Sequence, residues 1–379
     1  MLCHVRLTDD RGVPLGSHDG WLRHYQIESI TATRVLNDIG TLVMRVLPPF
    51  APELLRRDNM VQLWHAPSGG ALRLFRVYFI RRWLWELREG RLKLEIGGVD
   101  SNDLLRRRVI AAPTDIPRGE ARGDTADNLM RARVHQETTE ASSWVITVDY
   151  GSRTWSQFGV EADVGGALGI GVRELSYKPL LEFGGGGVLQ ELIKAADDNG
   201  DKLYFDVAPE VIAGGSIRFV FRVYQDCLGT DRTVTGGLVF GPQFGNLLDG
   251  ELEYDYTREI NNLYYGPVGP RGKGQMKQEY DASAIDASVW NRCEGYGGDI
   301  SVAETMRELE RSKGRRRFVG RLVSTAQTVF GRDWDFGDRV RINFGADSFN
   351  ALVRAVTWEV TNDGNLTVHA RIDSEDEDD

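Results

Sequence analysis

The chain has 379 residues, 41% of them hydrophobic, and a formal net charge of −10, so it can form two or three domains with full cores. The acidic balance argues against a general nucleic-acid-binding surface, which needs clustered Lys and Arg to displace counterions. No uninterrupted apolar run of about 18 residues occurs, and Met1-Leu2-Cys3-His4-Val5-Arg6 lacks the apolar stretch of a secretory signal; the expectation is a chain with no membrane segment, folded in the cytoplasm.

Residues 26–47 read as strand, turn, strand: Ile27, Ile30 and Val35 lead to Asn37-Asp38-Ile39-Gly40, Leu42-Val43-Met44-Arg45-Val46-Leu47 follows, and Pro48-Pro49 ends it. Strands at 60–64, 72–85 and 91–99 complete the density of a small barrel or sandwich. Ser101 or Asn102 is placed to cap a short helix through Leu104, Leu105 and Arg106-Arg107-Arg108, with Pro113 and Pro117 marking a connection. Asp124 and Asp127 suit the N-terminus of a second helix starting near Thr125 and continuing through Leu129, Met130 and Arg133. Residues 140–175 read as irregular apart from a strand at 144–148. Leu180-Leu181-Glu182-Phe183 then leads into four glycines at 184–187 and a helix over 188–198, with Leu189, Leu192, Ile193 and Ala196 on one face. The stop Asn199-Gly200 and a strand at 202–207 follow. Residues 217–224 alternate, with Ile217, Phe219, Phe221 and Val223 on one face, as in a half-buried antiparallel strand.

Strands are expected at 252–256 and 261–265, then a Gly/Pro-rich loop at 266–274. Ser301-Val302-Ala303-Glu304 has the spacing of a capping box and announces a helix through Met306 and Leu309 to Gly314. A further helix is expected over 318–330. The arginine triples at 106–108 and 315–317 are read as helix C-terminal ends, where cations oppose the macrodipole. Ser374-Glu375-Asp376-Glu377-Asp378-Asp379 reads as a solvated tail.

Two hairpins share a Trp-Glu-apolar start and a Gly-x-Leu-x-apolar return: Trp85-Glu86-Leu87 with Gly90 to Leu94, and Trp358-Glu359-Val360 with Gly364 to Val368. Each follows an Asp-led strand (60–64; 339–344) and an alternating approach strand (73–80; 351–357). The same small β unit therefore occurs twice, with Trp85 and Trp358 equivalent, which predicts two like surfaces for a repetitive partner more than a single catalytic cleft. The expected fold is a β-rich α+β one, with two similar small antiparallel β-barrels flanking an α+β middle region. The expected divisions are 1–100 for the first barrel, 101–245 for the middle, 246–372 for the second barrel with inserted helices, and 373–379 for the acidic tail.

No motif carries a reaction. The tetraglycine before a helix invites a phosphate, but no Lys-Ser or Lys-Thr follows it and no acidic residue sits at a dinucleotide-binding position, so it reads as a strand-to-helix joint. Val164-Gly165-Gly166-Ala167-Leu168-Gly169-Ile170-Gly171 lacks the same partners. Glu251 with Glu253, or Asp333 with Asp335, has the spacing of a paired-acid site, yet acids on the solvent face of a strand are ordinary. Cys3, Cys227 and Cys293 are odd in number without C-x-x-C spacing and read as reduced thiols. His4, His18, His24, His65, His135 and His369 never take the i, i+4 spacing of a helical zinc site, and a meeting of His24 with His65 in space is not expected to hold a metal. Trp21, Trp83, Trp85, Trp144, Trp155 and Trp290 are assigned to core or interface packing ahead of sugar stacking. The expectation is no catalytic, cofactor or metal residue, and a structural protein; a carbohydrate-binding or adhesive β-protein and an unrecognised cell-wall hydrolase are the alternatives.

The order barrel, α+β insertion, barrel resembles the baseplate or tail-tip hub proteins of tailed bacteriophages, related in fold to the hub of contractile tails and to the N-terminal part of type VI secretion spikes. The segment Asp100 to Val109, the helix around Gly123-Asp124-Thr125-Ala126-Asp127-Asn128-Leu129-Met130, the unit from Gly187 to Gly200 and Asn261-Asn262-Leu263-Tyr264-Tyr265-Gly266 carry the resemblance to the siphophage members. It implies a homotrimer adapting a sixfold tail tube or distal tail ring to a threefold tip. The implied partners are the tape-measure C-terminus and a tip fibre or spike protein, with DNA passing through the lumen without specific binding. The implied location is the virion tail tip, after assembly in the host cytoplasm.

Overall fold

The computed structural model describes residues 2–16, 18–23, 26–47, 54–66, 70–88, 90–109, 125–138, 158–161, 178–197, 200–212, 215–234, 237–266, 276–281, 293–313, 315–361 and 365–374. The chain begins with β1 (Leu2–Thr8), β2 (Ile27–Val35), β3 (Thr41–Val46), β4 (Met60–Ala66), β5 (Arg73–Arg88) and β6 (Arg91–Asp100). It continues with α1 (Asp103–Arg106), α2 (Ala126–Thr138), β7 (Phe158–Val160), α3 (Val188–Asp197), β8 (Leu203–Val211) and β9 (Ile217–Gln225). Then come β10 (Val239–Phe240), β11 (Leu247–Asp255), β12 (Asn262–Tyr265), β13 (Lys277–Tyr280), β14 (Glu294–Tyr296) and α4 (Val302–Arg311). The last strands are β15 (Arg315–Val323), β16 (Arg339–Phe344), β17 (Asp347–Thr361) and β18 (Leu366–Ser374).

Hydrogen bonding arranges the first six strands as β1-β4-β5-β6-β3-β2 and a later set as β10-β16-β17-β18-β15-β11. Counted within each set, both orders run first, fourth, fifth, sixth, third, second, so one topology occurs twice. The registers agree as well. Met60 faces Phe79 as Arg339 faces Leu352, and Trp85 faces Leu94 as Trp358 faces Val368. Each long hairpin is interrupted by one bulged arginine, Arg81 in the first and Arg354 in the second. The sets differ at their first strands: β1 pairs antiparallel along β4, whereas the short β10 runs parallel to β16.

Among the described residues neither set closes on itself by strand pairing, so the expected pair of barrels is found as one continuous twelve-stranded sheet. The reason lies in an overhang. β16 pairs β17 only as far as Leu352, and β2 occupies the remaining edge, from Val35 opposite Ala355 to Ser29 opposite Thr361. One apolar core then runs through both sets, with Ile30, Leu42 and Ile96 joined to Phe318, Val356 and Trp358. A second core packs α2 and α3, through Leu129, Met130, Val134, Leu189 and Leu192, onto the β7-β9-β8 sheet and onto Met60, Val77 and Phe79 of the first set. β9 alternates as expected, antiparallel to β8 and parallel to β7. Between β11 and β15 the chain inserts a β13-β12-β14 sheet and α4. There Ser301 Oγ accepts the Glu304 N–H at 3.2 Å and Glu304 Oε2 accepts the Ser301 N–H at 2.8 Å, the expected capping box.

Two expectations are corrected. The helix over 318–330 is strand β15 followed by turns, because Phe318 and Leu322 are buried at strand spacing and Gly320 lies against the Phe318 ring. The triple at 315–317 therefore opens a strand instead of closing a helix, and the Arg316 guanidinium sits 5.2 Å from the Phe349 ring centre. Secondly, Asn102 precedes α1 without a side-chain cap bond. Its Oδ1 accepts the Val207 N–H at 2.8 Å, while Ser101 Oγ donates to the Val207 carbonyl at 2.6 Å, so both side chains tie β8 to the first set. Pro48-Pro49, Pro113, Pro117, Asp124 and the regions 144–148, 164–171, 267–274, 362–364 and 375–379 lie outside the described residues.

Candidate assembly surface

β5 is 16 residues long, and β4 covers only its first part. Residues 82–88 pair with β6 on one side, and no strand pairs with their other edge among the described residues. Alternation places Trp83, Trp85 and Leu87 on one face, where they are 41%, 37% and 70% exposed. Leu92, across from Leu87, extends the row and is also exposed. Their counterparts on β17, Val356, Trp358 and Val360, are no more than 3% exposed. Trp358 is covered by Phe75, stacked at 3.8 Å, and by His65 and Phe330, and β2 lies along β17, whereas no described strand lies along this part of β5.

Among the described residues the second unpaired edge is β11, bonded only to β15, whereas its counterpart β2 lies between β3 and β17. Asp249, Glu251, Glu253 and Asp255 are exposed on it, with Leu248 and Tyr254. Asp249 Oδ2 accepts from Arg321 Nε at 3.0 Å. A Cβ on Gly250 would stand 2.8 Å from the Phe318 ring, so close packing requires glycine here. The paired registers make Gly250 the counterpart of Ala32: Ala32 faces Leu42 and Leu42 faces Gly98, while Gly250 faces Gly320 and Gly320 faces Ile372. Ala32 is the residue opposite Trp358. The sheet end at β1 is covered by its own loop, where Leu15 N–H donates to the Leu7 carbonyl at 3.0 Å and Leu22 N–H to the Val5 carbonyl at 2.9 Å.

A buried ionic cluster holds the frame that carries both edges. Arg76 bonds Asp100 Oδ2 at 2.8 Å and Asp206 Oδ1 at 2.8 Å, and Arg34 reaches Asp206 Oδ2 at 2.7 Å. Arg34 also lies 4.1 Å from the Phe336 ring centre, so it touches the first set, β8 and the later part of the chain together. The two guanidiniums hold Asp206 below the usual carboxylate range against the cost of its burial, whereas burial pushes Asp100 up to about 6.

The other sequence candidates do not converge. Gly184, Gly185 and Gly186 take positive φ before α3, the Gly187 N–H donates to Gln190 Oε1 at 2.8 Å, and the first-turn N–H groups of Val188 and Leu189 donate to the Pro179 and Leu180 carbonyls, so these amides are already used. Glu251 and Glu253 are exposed on the edge strand β11. Asp333 accepts the Val329 N–H at 2.7 Å and Asp335 the Phe336 N–H at 2.7 Å, both within a turn. His65 lies between Phe330 and Trp358, its Nδ1 has no hydrogen-bond partner, and burial with Arg73 nearby pushes its imidazole down to about 4. His24, Trp144, Trp155 and Trp290 lie outside the described residues. Among the described residues no His, Cys, Asp and Glu cluster could hold a metal, and no helix is long and apolar enough to cross a membrane. The exposed edges themselves escaped sequence reading, because an unpaired strand and a paired one have the same alternation.

The chain matches no protein-family model and no curated protein in sequence. In structure it is similar to the 43 kDa tail protein of prophage MuSo2 from Shewanella oneidensis, with a TM-score of 0.54, 12% identity and 98% of each chain covered. It is also similar to the tail protein from Neisseria meningitidis MC58, with a TM-score of 0.52 and 12% identity over 99% of this chain and 96% of that one. A Francisella PdpA–VgrG complex aligns over 98% of this chain and 52% of its own, with a TM-score of 0.51 and 9% identity. The β-rich α+β fold is thus one found in a prophage tail protein, in a second tail protein and in a VgrG complex.

Proposed function

We propose that the chain is a structural subunit of a phage tail tip or baseplate, three copies of which form a ring that adapts a sixfold tail tube or distal tail ring to a threefold tip and encloses the DNA channel. The observation that carries this is the six-strand order used twice in one chain with matching register. Two like units per chain and three chains present six like surfaces, the number a sixfold ring offers. The fold shared with two tail proteins supports the setting. The tube or distal tail ring, the tape-measure C-terminus and a tip fibre or spike are then its neighbours. The part is mechanical, with no catalytic step. Its net charge of −10 suits a wall that DNA must pass without binding, since each stable cation–phosphate contact adds affinity and slows transit.

Antibody labelling of intact particles tests the reading. Label confined to the distal tail end is the expected result; label on heads, or tails of normal form made without this chain, would overturn it.

A further inference from the structure

We infer that neighbouring copies are joined by strand pairing, β11 of one copy lying along residues 82–88 of β5 in the next, with Trp85 opposite Gly250. This rests on the ring reading and specifies its joint. The template is inside the chain, where β2 and β17 already make such a joint, and β11 and β5 are the counterparts of β2 and β17.

Carrying the β2–β17 register through the repeat sets Arg82 opposite Glu253, Trp83 opposite Leu252, Leu84 opposite Glu251, Trp85 opposite Gly250 and Glu86 opposite Asp249. The chemistry is complementary at three of the five pairs, while Leu84 stands opposite the carboxylate of Glu251. Arg82 meets a carboxylate, and Leu252 continues the apolar row of Trp83 and Trp85. Gly250 has no side chain of its own, as Ala32 is small opposite Trp358, and the Phe318 and Phe344 rings that pack over it offer the indole an aromatic surface. Glu86 and Asp249 are the like-charge pair, and Arg321, 2.5 Å from Asp249 on the β15 side, offsets part of that charge.

The occupant is a second copy because within one chain the two edges are not paired with each other: six strands, β6, β3, β2, β17, β18 and β15, lie between β5 and β11 along the sheet. An edge-to-edge contact between different patches of identical chains is heterologous and closes into a ring when its rotation allows. It also removes two long exposed edges that would otherwise template aggregation.

The test is a pair of cysteines, R82C with E253C in one full-length chain, in oxidised tails purified from producing cells. Both positions are exposed, so the fold is not disturbed. Directly opposed cysteines lie within disulfide reach. Chains linked as dimers and closed trimers on a non-reducing gel are expected, at least fivefold above either single variant and above the out-of-register pair R82C with E251C. Mixed tails carrying the two single variants on separate chains should give linked dimers. Tails that contain three copies but show no linkage above the controls would place the joint elsewhere and leave the ring intact. A copy number other than three would overturn the ring reading and this joint with it.

Discussion

Arg76 is fully buried, and its side chain holds Asp100 and Asp206 in place. Replacing it with Met leaves two buried carboxylates facing each other with only Arg34 to answer them. A loss of about 3–5 kcal/mol in unfolding free energy is expected from denaturant titration, whereas Glu251→Gln, on an exposed strand face, should stay within about 0.5 kcal/mol. His65 makes a pH prediction. Its folded value, about 4, lies below the ordinary 6.5, so the stability its neutral form supports is complete above pH 6.5 and is lost as pH falls towards 4. Asp100, raised to about 6 from 3.8, works in the opposite sense, because the folded state takes up a proton first as pH falls. Comparing wild type with His65→Phe isolates the first effect: their difference in unfolding free energy should change by about 3 kcal/mol between pH 7 and pH 4, in favour of the variant at low pH. Neither residue's role was legible beforehand. Arg76 sits in an ordinary alternating strand, and only the fold brings Asp206, 130 positions away, to it.

At the scale of elements, β2 through β6 and β9 were legible because alternation and Gly or Asn turns mark half-buried strands regardless of what they pack against. β15 was not, since Phe318, Leu322 and Phe330 also fit a helical spacing and the pairing with β11 and β18 that decides the matter is distant in sequence. The repeat was visible in the Trp-Glu hairpins; its meaning was not, because one copy of the hairpin is buried and the other bare. That asymmetry predicts separable effects. Trp85→Lys should leave the melting temperature of the monomer within about 2 °C, yet weaken association between copies at least tenfold by sedimentation. Trp358→Lys, at the equivalent position in the core, should prevent folding.

For the whole molecule, the sheet of two like sets is the frame and the middle region is fastened to it by a shared apolar core and by Asn102, Ser101 and Arg76 on β8. The arginine triples are partly engaged within the chain: Arg106 and Arg107 pair with Asp103, and Arg316 lies over Phe349. They should therefore face protein or solvent and not the bore. The central claim is that one chain supplies two of six like units in a closed ring. A density map of the isolated tail tip, reconstructed without imposed symmetry, measures this directly. Three copies around an open bore, each contributing two adjacent six-stranded units, is the predicted result; any other copy number, or a bore lined by Arg106 to Arg108 and Arg315 to Arg317, would contradict it.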